Sequence, residues 1–347
     1  MKREDGFHLN NYKKEGHKMS KTKVNWGVLG CAGIAEKSVI PGILSSENAV
    51  LYAIASREAG KKLDDFCEKF KPVKSYTSYE ALLDDPEIDA VYIPLPNALH
   101  YEWTLKAAQK KKHVLCEKPL GISAEEVKGM KDAAKQNGII LMEAFAYRQS
   151  PLTKKVKSLV DEGIVGKVKF IEAHFSYFLN NRDDVRVNKE LAGGATYDVG
   201  CYNLNIIRHI AGSEPIEVHA TGEIGKESGV DESSCIMMEF EGGLKAVSYC
   251  ALNCASRSEY TIVGETGIIH VPVQFNSEGE TTVIINKDSV TEEIKVHCPH
   301  NYMLEVEQFG RCILNGENPL ITFEDAYNNA RVIDIALSQM FENYSVH

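Results

Sequence analysis

The chain has 347 residues, 44% apolar and 25% charged, which is long enough for two domains with sizeable cores. Its formal net charge of −10 argues against nucleic acid or an anionic membrane surface as a partner. No apolar run approaches the length of a membrane span, and the nine cysteines lack the spacing of a zinc site. We therefore expect a cytoplasmic protein with reduced thiols and no metal.

The beginning of the chain differs from the rest. Residues 1–20 are polar, lack the apolar core of a secretory signal and show no helix or strand pattern. Because Met19-Ser20 resembles a natural start, we interpret this stretch as a tag or a disordered leader. The remainder is expected to form two domains, residues 21–145 and 146–347.

Strands and helices alternate through the first of these domains. Strands are predicted at 24–29, 50–55, 90–93, 114–116 and 139–142. Helices are predicted from about 33 onward, at 58–70, 78–83 and 99–111, and from 123 to about 136. The last of these begins with a capping box, in which the Ser123 hydroxyl serves the Glu126 amide and the Glu126 carboxylate reaches back. This alternation predicts an α/β domain with a parallel, Rossmann-type sheet.

In the second domain, strands and helices no longer alternate. Helices are predicted at 151–162 and 197–209, and a long strand at 167–177. Strands then follow one another without helices, at 217–221, 235–240, 244–250, 259–263, 267–271, 281–285 and 294–296. Such a run predicts an α+β domain with an open, mainly antiparallel sheet. Helices at 302–314 and 325–340 close the chain and are expected to pack back on the first domain.

The first strand leads into a glycine-containing turn. Residues 30–35 read Gly-Cys-Ala-Gly-Ile-Ala and fit the dinucleotide fingerprint with two replacements. Gly30 allows the tight turn, Ala32 lies where the backbone approaches the pyrophosphate, and Gly33 supplies additional room. The amides around Gly33 and Ile34 open a helix, whose positive end suits phosphate. We therefore predict a nicotinamide dinucleotide site here.

The end of the second strand bears on which dinucleotide binds. Proteins specific for NAD place an acid there, but this chain has Ser56 and Arg57. An arginine matches a 2′-phosphate bidentately, and the serine adds a hydroxyl. NADP is therefore the preferred cofactor, while the adjacent Glu58 keeps NAD as the alternative.

Several motifs together resemble those of the glucose-fructose oxidoreductase and inositol dehydrogenase family, known as Gfo/Idh/MocA. They are Gly27 to Ala35, Ile93 to His100, Val114-Leu115-Cys116-Glu117-Lys118-Pro119-Leu120, Glu143 to Arg148 and Gly193 to Tyr202. The branch that contains dimeric dihydrodiol dehydrogenase and NADP-dependent xylose dehydrogenase is the most similar, because it also has tyrosine at the position of Tyr202.

The resemblance implies a site between the two domains. Lys118 would lie beside nicotinamide and substrate, with Asp198 and Tyr202 facing it. The residues implied to line the cofactor are Pro94, Asn97, His100, Glu117 and Lys118. The resemblance also implies a homodimer or homotetramer, formed through the open sheet of the second domain.

The chemistry of these residue types agrees with that implication. Hydride transfer at a carbinol carbon requires a proton to move on its oxygen. A lysine ammonium near a phenol favours the phenolate, so we expect Lys118 to lower the pKa of Tyr202. Asp198 and Tyr202 are four residues apart and so share a helix face. The sequence therefore predicts an oxidoreductase that acts on a sugar, a polyol or a cyclic trans-diol.

Other polar residues are less decisive. Tyr147 and Arg148 are expected to bind substrate, with bracing of the domain junction as the alternative for Arg148. Asn181, Arg182 and Asp183 contact either a sugar or water, and His174 belongs to the core or an interface.

Three other functions remain open. The chain could be a sensor that binds the dinucleotide without catalysis, because a fold does not fix a function. It could instead exchange hydride between two sugars through a tightly held cofactor, or reduce an imine or another carbonyl.

Overall fold

The computed structural model describes residues 21–273 and 275–345, so the predicted leader, residues 1–20, lies outside the described residues. Two sheets organise these residues. The first is parallel, and its strands are β1 (Val24–Leu29), β2 (Ala49–Ala55), β3 (Lys74–Tyr76), β4 (Ala90–Ile93), β5 (His113–Glu117) and β6 (Leu141–Ala144).

The strand order of the first sheet is β3-β2-β1-β4-β5-β6. This is the order of dinucleotide-binding α/β domains, in which the order of the strands reverses between β1 and β4 and leaves a crevice at their carboxyl ends. The helices that flank the sheet are α1 (Ile40–Ser45), α2 (Lys61–Phe70), α3 (Tyr79–Leu83), α4 (His100–Gln109) and α5 (Ala124–Asn137).

The predicted parallel sheet is confirmed, with local differences. The sequence did not reveal β3, which has only three residues and no buried one. Helix α2 begins at Lys61 rather than at 58, after Gly60. The predicted Ser123 cap is present, because its hydroxyl oxygen accepts a hydrogen bond from the Glu126 amide at 3.2 Å. The Glu126 carboxylate, however, accepts from the amide of Ile122 and not from that of Ser123.

The second sheet has the strand order β14-β13-β12-β11-β7-β10-β9-β8. Its strands are β7 (Val168–Phe178), β8 (Pro215–Ile224), β9 (Asp231–Phe240), β10 (Lys245–Ala251), β11 (Asn253–Gly264), β12 (Gly267–Val271), β13 (Gly279–Lys287) and β14 (Val290–Cys298). The pairs are antiparallel except for β10 with β7. The mainly antiparallel sheet is thus confirmed.

The remaining helices connect the two sheets. They are α6 (Pro151–Asp161), α7 (Cys201–Ala211), α8 (Asn301–Asn315) and α9 (Phe323–Ser345). Helix α8 packs on the first sheet, where Phe309 lies 5.5 Å from the ring of Trp26, and α9 reaches α5, where Asp334 accepts from the Ala124 amide. One hydrophobic core therefore runs from the first sheet through α8 and α7 to the second sheet.

Candidate functional site

Lys118, Asp198 and Tyr202 meet between the two sheets. The Lys118 Nζ atom lies 2.7 Å from the Asp198 carbonyl oxygen, 3.4 Å from Asp198 Oδ1 and 5.1 Å from the centre of the Tyr202 ring. The Lys118 and Asp198 side chains are 13% and 14% exposed, so the ammonium and carboxylate interact with little screening by water. The structure thus brings together three residues that come from separate parts of the chain.

Local structure positions each of the three. Lys118 follows the last residue of β5 and precedes Pro119, with a cis peptide between them. Asp198 lies in a π-helical turn, Thr196–Gly200, that leads directly into α7, and Tyr202 is in the first turn of α7. A π-helical turn inside a helix is frequent at functional sites.

A buried acid holds the start of that helix. Asp231 Oδ2 accepts from both the amide and the hydroxyl of Thr196 at 2.7 Å. A Cβ atom on Gly194 would lie 2.1 Å from Asp231 Oδ1, and Gly194 has a φ of +129°. Only glycine fits this position, so the Gly193-Gly194 turn and Asp231 together fix where Asp198 and Tyr202 emerge.

Two residues that the sequence did not single out complete the Asp198 environment. Tyr177 donates its hydroxyl to Asp198 Oδ2 at 2.6 Å, and Arg186 Nε lies 3.0 Å from the same oxygen. Burial alone would raise the pKa of Asp198, but Lys118, Arg186 and Tyr177 lower it, so the carboxylate stays ionised. The alternation of β7 places Tyr177 on the same face as the buried Ile171 and Ala173, which is the signal that could have identified it.

The protonation state of Tyr202 differs from the sequence-based expectation. The pKa of Tyr202 is raised well above its ordinary value, because burial disfavours the phenolate. Lys118 lies over the face of the ring, and its charge does not overcome the effect of burial. Burial alone would lower the pKa of Lys118, but Asp198 raises it above its usual range. The pair is therefore an ammonium and a neutral phenol.

The dinucleotide turn has the geometry that the fingerprint requires. Gly30 has a φ of +115°, and a Cβ atom there would lie 3.2 Å from both Leu95 and the Tyr79 hydroxyl. The helix that leads into α1 begins at Gly33, which is exposed and would have nothing within 4 Å of an added Cβ. Ala32 and Ile34 are half-buried beside it. The open first turn of a helix, with amides that lack intrahelical partners, fits a pyrophosphate.

The predicted neighbours of the cofactor fall into two groups. Ser56 and Arg57 lie at the carboxyl end of β2, half-buried and exposed respectively, where they are accessible. Pro94 and Glu117 are buried at the ends of β4 and β5, and Glu117 accepts from the Tyr92 hydroxyl at 2.5 Å. Burial raises the pKa of Glu117.

Asn97 and His100 connect parts of the protein. Asn97 donates to the Ala192 carbonyl at 2.8 Å and so ties the first half of the chain to the loop before Gly193. The ring nitrogens of His100 lie 2.8 Å from the carbonyl oxygens of Pro119 and Leu95, and the side chain is fully buried. His100 therefore braces the loop that carries Lys118.

Tyr147 and Arg148 lie behind Tyr202 rather than beside Lys118. Tyr147 is 1% exposed, donates to Asn205 at 2.5 Å and has its ring 5.7 Å from that of Tyr202. Arg148 bonds Asn205 and forms an ion pair with Asp325 of α9 at 2.9 Å. These contacts fit the bracing role that was the alternative for Arg148.

The polar loop after β7 and His174 within β7 make their contacts away from Lys118. Asn181, Arg182 and Asp183 are exposed, and Arg182 pairs with Glu232. His174 is half-buried on the outer face of the second sheet, where it contacts Ser176 at 2.9 Å and Arg257 at 3.1 Å.

Two further buried acids flank the site. Glu143 Oε1 accepts from the Leu120 amide at 2.8 Å, whereas Oε2 has no hydrogen-bond partner among the described residues. Glu305 of α8 is 1% exposed and its Oε2 is also unpartnered within the described part of the chain. Burial raises the pKa of both, to about 8 for Glu143. Burial therefore favours the neutral form of both acids.

Neither a metal centre nor a membrane segment emerges from the described residues. No group of three or more potential ligands is arranged to hold a metal ion within residues 21–273 and 275–345. Across the same ranges, every helix is too short or too polar to cross a membrane.

Comparison with known proteins matches both halves of the chain to one family. Residues 24–145 match the oxidoreductase family with an NAD-binding Rossmann fold, and residues 153–270 match the Gfo/Idh/MocA C-terminal domain. A D-xylose 1-dehydrogenase (NADP(+)) from Haloferax volcanii is 38% identical, covering 89% of this chain and 95% of the relative. A trans-1,2-dihydrobenzene-1,2-diol dehydrogenase from Xenopus tropicalis is 31% identical over 92% of this chain and 98% of its own.

Solved structures show the same fold. A 3-ketoreductase from Actinomadura kijaniata, in complex with NADP and TDP-benzene, superposes with a TM-score of 0.88 and 26% identity. The match covers 92% of this chain and 98% of the reductase. Both sheets and the helices between them are therefore shared.

Proposed function

The chain belongs to the Gfo/Idh/MocA family of NAD(P)-dependent oxidoreductases, and we propose that it prefers NADP and acts on a sugar, a polyol or a cyclic trans-diol. The substrate class is supported by the relatives, which include a xylose dehydrogenase and a dihydrobenzenediol dehydrogenase. The observation that carries the proposal is the contact of Lys118 with Asp198 and the Tyr202 ring.

Lys118, Asp198 and Tyr202 are proposed as the catalytic residues. Nicotinamide, when bound, donates or accepts the hydride. The neutral Tyr202 phenol can give its proton to a carbonyl oxygen that is being reduced, and the Lys118 ammonium can stabilise negative charge on that oxygen. Asp198 holds Lys118 in place through its backbone oxygen and keeps it charged.

Published variants of a relative support this choice of residues. Structures of the Actinomadura reductase include one with a substituted tyrosine and others with a substituted lysine. The two substituted positions are separated by the same number of residues as Lys118 and Tyr202. We therefore assign Lys118 and Tyr202 as their counterparts.

The cofactor site is proposed from the first sheet. Gly30, Ala32, Gly33 and Ile34 would hold the pyrophosphate at the start of the helix, and Ser56 with Arg57 would bind the 2′-phosphate. The residues proposed to line the nicotinamide side are Pro94, Asn97, His100, Glu117 and Lys118. Of these, Asn97 and His100 act through the loops that they brace, as Tyr147 and Arg148 do behind Tyr202.

The outer face of the second sheet supports a homodimer. Strand registry places Met237 and Val247 on one face with Glu172, and Phe178 lies on the same face. Phe178 is 61% exposed and Met237 53%, which is unusual for large apolar side chains in a sheet. A second copy of the chain would cover this face.

Domain limits and location complete the proposal. We retain residues 21–145 and 146–347 as the two domains, because the change of sheet falls between β6 and β7. All nine cysteines are free, which fits a reducing compartment such as the cytoplasm.

The decisive experiment removes the ammonium. Lys118→Ala should lower kcat by about 10²–10⁴-fold while NADPH affinity, followed by nucleotide fluorescence, changes little. Lys128→Ala is the matched control, since that side chain is 58% exposed on α5. Near-normal turnover of Lys118→Ala would contradict the assigned chemistry. Tight NADPH binding by the unaltered protein, without hydride exchange on aldoses, inositols or trans-diols, would favour the sensor.

A further inference from the structure

Arg186 lies at the edge of the cleft, next to the proposed catalytic residues. Its side chain is 43% exposed, in contrast to Lys118 and Asp198, which are largely enclosed. It shares Asp198 with Lys118, since Arg186 Nε lies 3.0 Å from Oδ2 while the Lys118 ammonium lies 3.4 Å from Oδ1. Arg186 is therefore the solvent-exposed cation next to the Lys118–Asp198 pair.

The guanidinium is held in a fixed orientation. Besides its contact with Asp198, Arg186 Nη1 donates to Asp184 Oδ1 at 3.1 Å. The same carboxylate oxygen accepts from the Arg186 amide at 3.0 Å. The Arg186 carbonyl accepts from the Gly194 amide at 2.8 Å, and an added Cβ on Gly193 would lie only 2.4 Å from it. Backbone and side chain are both anchored before any ligand arrives.

These contacts leave some N–H donors of the Arg186 guanidinium free to bind a ligand. A guanidinium has five N–H donors, and the contacts with Asp184 and Asp198 engage Nη1 and Nε. Within residues 21–273 and 275–345, Nη2 has no hydrogen-bond acceptor. An exposed, oriented donor pair beside the catalytic lysine is suited to the oxygens of a substrate.

The charges around Arg186 indicate what kind of substrate its N–H donors bind. Lys118 and Arg186 are cations, while Asp184 and Asp198 are carboxylates, so the four groups balance. Because these charges cancel, the site offers no net positive charge to a carboxylate or phosphate of the substrate. The free energy of removing such an anion from water would therefore not be offset. A hydroxyl group needs only a donor or an acceptor, and both are present.

We infer that Arg186 is a substrate-specificity residue, which binds hydroxyl groups of an uncharged polyol and, together with Asp184, discriminates against acidic sugars. This inference rests on the proposed function, because it assumes that substrate reacts beside Lys118. It differs from the proposed function in assigning a different residue and a distinct kinetic effect.

Substitution of Arg186 tests the donor role. Arg186→Met should raise KM for a neutral sugar or diol by about 10–100-fold, as expected for loss of hydrogen bonds to a charged donor. Arg186→Lys should also raise KM, because an ammonium lacks the planar fork. The control is Arg182→Met in the same loop, which pairs with Glu232 away from Asp198. An unchanged KM in Arg186→Met, or an equal increase in the control, would overturn the inference.

Substitution of Asp184 tests the charge argument. Asp184→Asn retains an oxygen for the Arg186 amide but leaves one positive charge unbalanced. The ratio of KM for an aldose to KM for its uronic acid should therefore rise at least several-fold. An unchanged ratio would refute the role of charge balance.

A binding measurement separates this inference from the proposed chemistry. The neutral polyol is titrated by calorimetry into the complex of enzyme with NADPH, in which the reduced cofactor cannot oxidise it. We expect binding by the unaltered enzyme and by Lys118→Ala, and loss of binding in Arg186→Met. Retention of polyol affinity in Arg186→Met would overturn the inference even if turnover proves the catalytic assignment right. Normal turnover of Lys118→Ala with loss of binding in Arg186→Met would instead refute only the catalytic assignment.

Discussion

Glu143 offers a test of the electrostatics around the Lys118 loop. Glu143 lies within β6, near its carboxyl end, and its side chain is 2% exposed. Its Oε1 atom accepts a hydrogen bond from the amide of Leu120, two residues after Lys118. Burial and, to a lesser extent, Asp325 raise the pKa of Glu143, while the hydrogen bond from Leu120 and the charges of Arg208 and Lys118 lower it, so that the pKa lies at about 8 instead of 4.5. The thiols of Cys201 in α7 and Cys116 in β5 also interact with its carboxylate.

The sign of the pH effect follows from proton binding. Between pH 4.5 and about 8, folded Glu143 keeps its proton while the unfolded chain has lost it. The folded state binds more protons, so the free energy of unfolding falls as pH rises through this window. One proton corresponds to about 1.4 kcal/mol per pH unit, which sums to a loss on the order of 4 kcal/mol by pH 8.

Glu143→Gln removes the titration while keeping an oxygen for Leu120. The free energy of unfolding of this variant minus that of the unaltered protein should rise from pH 5 to 8 and level off above pH 8. Denaturant unfolding at each pH measures the difference, in which the other titrating groups cancel. Glu125→Gln, with an 86% exposed side chain, is the control and should show no such slope. A difference independent of pH would refute the reasoning.

Three other substitutions test separate parts of the structure. Arg57→Ala should weaken NADPH binding by about 10-fold or more and leave NADH binding nearly unchanged, since a charged hydrogen bond contributes about 1.5–3 kcal/mol; equal losses would contradict the 2′-phosphate role. Gly194→Ala should lower the free energy of unfolding by more than about 2 kcal/mol, because its Cβ would overlap Asp231; an unchanged thermal midpoint would show that the turn relaxes. Phe309→Ala should cost about 3–5 kcal/mol through loss of its contact with Trp26, and a cost below 1 kcal/mol would mean that α8 contributes little to the shared core.

The fold was predictable because its signals are local. Gly30 ends a buried strand and requires a positive φ, and Ser123 and Gly138 mark the two ends of α5 as helix caps do. Strand β3 was missed because its three residues are exposed or half-buried, so no apolar period exists to detect. The parallel pairing of β10 with β7 was also hidden, since alternation along a strand does not reveal the direction of its neighbour.

The sequence named residues that the structure brings together, but it did not reveal their electrostatics. The resemblance to the family motifs named Lys118, Asp198 and Tyr202, yet it could not tell how deeply the phenol is buried or that the ammonium lies over the face of its ring. Burial reverses the expected direction of the Tyr202 pKa shift, because it disfavours the charged phenolate. Tyr177 and Arg186 were missed for a related reason, since each acquires its role only where β7 and the following loop converge on Asp198.

The protonation state of Tyr202 bears on whether the site favours reduction of a carbonyl or oxidation of an alcohol. A phenol with a raised pKa is ready to donate a proton, which suits reduction of a carbonyl, whereas oxidation of an alcohol needs a base. Between pH 6 and 9 the phenol stays protonated, so reduction of a ketose or ketone by NADPH should keep a nearly constant kcat with respect to this group. Oxidation should instead accelerate with rising pH as the alcohol proton becomes easier to lose. Measuring both directions over that range, with Tyr202→Phe as the variant that can supply no proton, distinguishes the two cases. If reduction by the unaltered enzyme fell steeply below pH 8 while Tyr202→Phe kept its activity, the phenol would not be the proton donor.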